Sequence, residues 1–90
     1  MNRVVYKWTE HAIMVPTDHP DTLADVGPFH VGQQRGQVTV WAEVNPEATP
    51  HPFHLIVRGT GEQWEQDGSR YLGTVPGDLL VWHIYLKQSQ

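Results

Sequence analysis

The stretch Phe29-His30-Val31-Gly32-Gln33-Gln34-Arg35-Gly36-Gln37-Val38-Thr39-Val40-Trp41-Ala42-Glu43-Val44 decides the fold. Two β-prone arms flank Arg35-Gly36, and a glycine at a turn position supplies the positive φ that a tight reversal needs, so the segment reads as a hairpin. Side chains alternate along a strand. In the second arm Val38, Val40, Ala42 and Val44 therefore share one face, and Thr39, Trp41 and Glu43 share the other. The first face is expected to build the core.

The same alternation extends outward in both directions. Val4, Tyr6 and Trp8 alternate with Val5, Lys7 and Thr9 in a first strand, and His11 to Val15 form a second, stopped by Pro16. Thr17 to Pro28 is polar and reads as a loop. Within it the Asp21 carboxylate is placed to cap at most one helical turn through Thr22 to Asp25. Asn45 to Pro52 holds three prolines, Pro46, Pro50 and Pro52, and is expected to be an extended, sheet-terminating loop. Phe53 to Arg58 is a strand with Phe53, Leu55 and Val57 inward and His54, Ile56 and Arg58 outward. Gly59-Thr60-Gly61 ends it, a polar loop runs through Trp64 to Ser69, and Tyr71 to Val75 forms the next strand. Pro76-Gly77-Asp78 is a turn. Leu79 to Leu86 is apolar on both faces, which marks a central strand, and residues 87–90 read as a flexible polar tail.

Seven Pro and eight Gly in 90 residues leave little room for helix. About six short strands divided by turn signals predict one all-β domain over residues 1–90, a small antiparallel sandwich, roll or partly open barrel. Four Trp, three Tyr and two Phe supply the bulk for a single core.

Composition narrows the function. With no cysteine, a disulfide scaffold, a thiolate metal site and a Cys nucleophile are excluded. The net charge of −4 and the scattered Arg3, Lys7, Arg35, Arg58, Arg70 and Lys87 speak against direct nucleic-acid binding. The acids are likewise spread out, against nucleic-acid mimicry. No apolar run is long enough to span a membrane, and the first residues lack the apolar region of a signal peptide, so the expected location is the cytoplasm.

Candidate sites follow from residue types and spacing. His51-Pro52-Phe53-His54 is a weak metal signal, because residues three apart in a strand face opposite ways, and no metal or cofactor is expected. Ser69 and Ser89 lie outside any Gly-x-Ser-x-Gly elbow, and Glu43, Glu62 and Glu65 read as solvated strand or loop acids, so no catalytic residues are assigned. Gly59-Thr60-Gly61, with Arg58 and Trp64 beside it, has the composition of an anion-binding nest next to a stacking ring, although a strand needing a sharp turn has the same composition. Trp41, His54 and Arg58 sit opposite the expected core. If their strands pair, they form an aromatic and arginine-bearing patch of the kind enriched at interfaces. The binding residues predicted are thus Trp41, His54, Arg58, Thr60, Gly61, Trp64 and His83.

Several of these residues also belong to a longer pattern: Tyr6-Lys7, Met14-Val15-Pro16, Trp41-Ala42-Glu43-Val44-Asn45, Gly59-Thr60-Gly61-Glu62, Tyr71-Leu72-Gly73-Thr74-Val75 and Leu80-Val81-Trp82-His83. In this order they resemble a family of small bacteriophage and prophage proteins that carries a domain-of-unknown-function label, over nearly the whole chain. The chain departs from that family in Thr17-Asp18-His19-Pro20, where a short glycine-containing segment is usual, and in the proline-rich loop after Trp41. The resemblance implies a phage origin and brings no catalytic residues.

Together these readings lead to the expectation of a non-enzymatic phage accessory protein in the host cytoplasm that binds a host protein, as a defence inhibitor or takeover factor. A small-molecule binder that sequesters a nucleotide-like signal, and a minor virion or assembly component, stand as alternatives. A homo-oligomer is compatible with each.

Overall fold

A computed structural model describes residues 2–89. Seven strands follow in order: β1 (Val4–Trp8), β2 (Ala12–Pro16), β3 (His30–Gln34), β4 (Gln37–Val44), β5 (Pro50–Gly59), β6 (Arg70–Pro76) and β7 (Val81–Gln88). They form two antiparallel sheets, a three-stranded one in the order β1-β4-β3 and a four-stranded one in the order β2-β5-β7-β6. The fold is thus an all-β sandwich and not a closed barrel, since β1 and β2 follow each other in the chain but join different sheets. Among the described residues no helix is long and apolar enough to cross a membrane.

The β3–β4 hairpin folds as its sequence predicts. Arg35 and Gly36 carry φ of 53° and 76°, the two positive values of a type I′ turn, whose twist matches that of the flanking strands. Val40, Ala42 and Val44 from β4 meet Ile13, Val15, Phe53, Leu55, Val75, Ile84 and Leu86 of the other sheet in one buried cluster, with Trp8 and Leu23 closing its sides.

Several local expectations are corrected. Pro50 and Pro52 lie inside β5, opposite Pro16 and Met14 of β2. The reason is directional: the Leu55 amide donates toward β2, to the His11 carbonyl at 2.7 Å, so alternation turns the Pro50 and Pro52 nitrogens the other way. On that side the β5–β7 ladder ends with Phe53 opposite Gln88, so Pro50 lies past it and Pro52 forgoes a donor only at its very end, where the Pro52 carbonyl still accepts from the Ser89 amide. Pro16 likewise closes β2 from within, on an edge strand. Lys87 and Gln88 are not tail but the end of β7, and the Ser89 amide still donates to the Pro52 carbonyl at 3.0 Å; Gln90 lies outside the described residues.

At the other end of that strand, Leu79 and Leu80 precede β7 instead of opening it, and the strand starts at Val81. Its two faces also differ: Ile84 and Leu86 are buried, whereas His83 and Tyr85 are half-buried and Val81 is exposed. In β1 only Trp8 reaches full burial, Tyr6 being half-buried and Val4 exposed.

The loop between β2 and β3 contains no helix. Leu23, at φ 56°, drops its side chain into the core, and the Ala24 amide bonds the Thr22 hydroxyl and not Asp21. The loop is organised around Asp25, whose carboxylate accepts from the buried Thr17 hydroxyl and from the Asp18 amide at 2.8 Å. Burial pushes the Asp25 carboxyl up, but these hydrogen bonds outweigh it and hold the group below the usual carboxylate range.

Candidate functional site on the outer face of the larger sheet

Sheet order dictates where the site forms. β5 and β6 are both antiparallel to β7 and lie on either side of it, so residues 60–69 must carry the chain from the level of Gly59, opposite Trp82, to the level of Arg70, opposite Leu86. That is a descent of ~13 Å along β7. The inner face is filled by the core, so the connection crosses the outer face as a strap.

Arg58 pins this strap. It points outward from β5 and yet is only 6% exposed. Its guanidinium lies 3.6 Å from the Trp64 ring centroid and 4.4 Å from that of Tyr85, between a ring of the strap and a ring of β7. Its nitrogens donate to Ser69 Oγ and to Asp67 Oδ2, both at 3.2 Å. Such a cation, desolvated between aromatic faces and paired with a carboxylate, suits the planar fork of arginine and no other side chain. The Ser69 hydroxyl and amide, assisted by the charges of Lys87 and Arg58 and opposed by partial burial, hold the Asp67 carboxyl down at about 2.

Beside this stack lies a hydrogen-bonded row. His83 faces Arg58 on one side and Thr74 on the other in the strand register. Its Nε2 lies 2.8 Å from the Thr60 hydroxyl and its Nδ1 3.1 Å from the Thr74 hydroxyl, which also bonds Tyr71. Tyr71 packs edge-on against Tyr85 at 5.5 Å, and Tyr85 against Trp64 at 5.2 Å. Both imidazole nitrogens are bonded to hydroxyls, with no carboxylate to orient the ring, so the row has the character of a fixed surface more than of an acid–base dyad.

The structure therefore brings together Arg58, Thr60, Gly61, Trp64 and His83 of the predicted set. His54 is on the same face but at its far end, opposite Lys87. Trp41 is elsewhere: β4 pairs with β1 and β3 while β5 pairs with β2 and β7, so the patch joining Trp41 to His54 and Arg58 does not exist. His51 and His54 fall on opposite faces of β5 by alternation. Among the described residues no group of three or more His, Asp or Glu is placed to hold a metal ion.

The glycine loop is a turn. The Glu62 amide donates to the Gly59 carbonyl at 3.1 Å, Gly61 has φ 85°, and the Gly59 amide is taken by the Glu62 carboxylate at 3.3 Å. Of the groups expected to meet a phosphate, Arg58 and the first amide of the loop, that of Gly59, hold carboxylates of the chain itself.

Tyr71, Tyr85, Asp67, Thr74 and the turn before β7 are missing from the predicted set. A signal for the tyrosine was present, because Val81, His83, Tyr85 and Lys87 share one face and three of them have polar tips, the mark of a face turned partly to water. The turn adds Leu79, 96% exposed, and Leu80, with Val81 following on the outer face of β7. Along β7 the leucine turn and the Trp64–Tyr85–Tyr71 rings thus stand on either side of His83.

Fold and site together define a small β-sandwich with a strapped, aromatic outer face. The chain belongs to the family described as domain of unknown function DUF7352, whose model matches residues 1–90. Neither the curated proteins nor the solved structures contain a match to it.

Proposed function

We propose that this domain works by binding a protein, without catalysis, through the outer face of the β2-β5-β7-β6 sheet and the adjoining leucine turn. The observation that carries the reading is the coupling of Trp64, 42% exposed, to a buried arginine beneath it, together with the consecutive exposed apolar residues Leu79, Leu80 and Val81 at the start of the strand whose Tyr85 packs on Trp64. Interface hot spots are enriched in tryptophan, tyrosine and arginine, and holding such anchors in place beforehand removes part of the ordering cost of association. The finer proposal is that the chain is a phage accessory protein acting in the host cytoplasm on a host protein of defence or takeover. The resemblance to phage and prophage proteins supports that part.

Sequestration of a nucleotide signal draws less support from the geometry, since Arg58 and the Gly59 amide, two of its expected phosphate contacts, already hold Asp67 and Glu62. A virion or assembly role places the same surface against another phage protein. The test is capture from a bacterial lysate, with and without phage proteins, on immobilised wild type, Trp64→Ala, Leu79→Ser and Trp41→Ala. A partner retained by wild type and Trp41→Ala but weakened about thirtyfold by Trp64→Ala or Leu79→Ser is expected. Capture of nothing, or capture indifferent to Trp64 and Leu79, would overturn the reading.

A further inference from the structure

The core loses its cover toward the end of the sandwich that holds the β3–β4 turn. Val40, Ala42 and Val44 of β4, Phe53 and Leu55 of β5 and Ile84 and Leu86 of β7 are buried. Their inward neighbours Val38, Val57 and Trp82, at the start of β4, the end of β5 and the start of β7, are only half-buried. The sheets part there around a groove of about 590 Å³ walled by Val38 from one sheet and Leu55, Val57 and Trp82 from the other. Its rim is polar, with Thr9, Glu10, His11 and Gln37. A concave, mainly apolar space of this size with a few polar groups at its mouth is typical of small-molecule sites.

A second groove meets the first at Thr9 and Gln37, at the end of the smaller sheet, and carries Arg35 of the β3–β4 turn and Lys7, which shares the outer side of that sheet with its register partner Trp41. The charge at this junction stands out in an acidic chain. Of the six basic residues, Arg3, Arg58 and Lys87 each have a carboxylate within 4.0 Å. Among the described residues Lys7, Arg35 and Arg70 have none, and two of these three line this one groove. The Lys7 ammonium donates only to the Gln34 side-chain oxygen, at 3.3 Å. Glu10, on the far rim, is the sole acid lining either groove.

We propose that this end of the sandwich is a binding site for an anionic amphiphile, its unbranched apolar chain between the sheets against Val38, Val57 and Trp82 and its anionic head turned round the end of the smaller sheet, past Thr9 and Gln37, to Lys7 and Arg35. The site lies on the inner side of β5 and β7, with the strapped surface on the outer side, and does not depend on the protein-binding reading.

The experiment is an NMR titration of the full chain, below micelle formation, with octanoate, decanoate, decanol and decyltrimethylammonium. Saturable shifts are expected for the Val38 and Val57 methyls and the Trp82 indole. Decanoate should bind about fifteenfold tighter than octanoate, since each of its two extra buried methylenes contributes roughly fourfold, and more tightly than the cation. Lys7→Gln/Arg35→Gln, at exposed positions that leave the core untouched, should weaken decanoate about fivefold and leave decanol unchanged. A flat response to decanoate, a cation bound as tightly, or a double variant that binds decanoate as wild type does would each overturn the proposal.

Discussion

Trp41 and Trp64 both place an indole on the outside of the sandwich, one on each sheet, and they are held by different means. Trp41 stands on β4 beside Gly32 of β3, and its ring covers the glycine so closely that a Cβ there would lie 3.1 Å from Cζ3. Its own sheet half-buries it. Trp64 stands on no strand; it rests on a guanidinium that rises through the sheet surface from β5. The ring over a glycine gap has completed its contacts, whereas the ring over a buried cation offers its other face outward. An aromatic residue therefore marks a working surface less by its type than by what supports it.

The comparison breaks most directly at Arg58. Arg58→Ala removes the cation from between two rings and leaves Asp67 without its nearer cation, and should cost about 3 kcal/mol in urea unfolding while making residues 60–69 sensitive to limited proteolysis. Arg58→Lys, which keeps the charge and loses the plane, should restore only part of this. Trp41→Ala should cost about 1–2 kcal/mol, by uncovering Gly32 and the strand beneath. Trp64→Ala should cost about half as much, with the larger effect falling on partner capture. Gly32→Ala, which makes the Trp41 ring shift by a few tenths of an ångström, should cost about 0.5–1 kcal/mol and move Trp41 emission to the red.

The smallest effect is expected from acid. The Asp67 carboxyl, ordinarily at 3.8, is held at about 2 in the fold. Its contribution is complete above about pH 4 and fades as pH falls toward 2, because the unfolded chain takes up the proton first. Asp67→Asn should remove that portion of the acid dependence, read by urea unfolding at pH 2.5 and 5.

The strands were legible wherever alternation and turn chemistry agreed, as at Arg35-Gly36 or along Phe53-Leu55. Sheet membership was not: nothing in the local pattern of β4 or β5 says which strands flank them, and so Trp41 was expected beside Arg58. Prolines misled for a related reason, since Pro50 and Pro52 can stay in a strand when their donor side faces the end of the neighbouring strand and not its middle. The buried arginine was legible as an outward strand position, but its cover comes from a strap whose path depends on β7 lying between β5 and β6, a fact of topology and not of composition. Leu79 read as strand because its type is apolar, and hydrophobicity alone does not tell a core leucine from one at the tip of a turn.

That placement of β7 also governs how the domain comes into being. The strand at the middle of the larger sheet is the last of the seven in chain order, and both of its neighbours must wait for it. Until Val81 to Gln88 insert, β5 has a partner on one side only and β6 has none in its own sheet, so a chain interrupted before Val81 has only the β2–β5 pair to cover the β1-β4-β3 sheet. Loop closure must precede the reward of pairing, which predicts slow, all-or-none folding, in milliseconds or longer and without a stable N-terminal fragment.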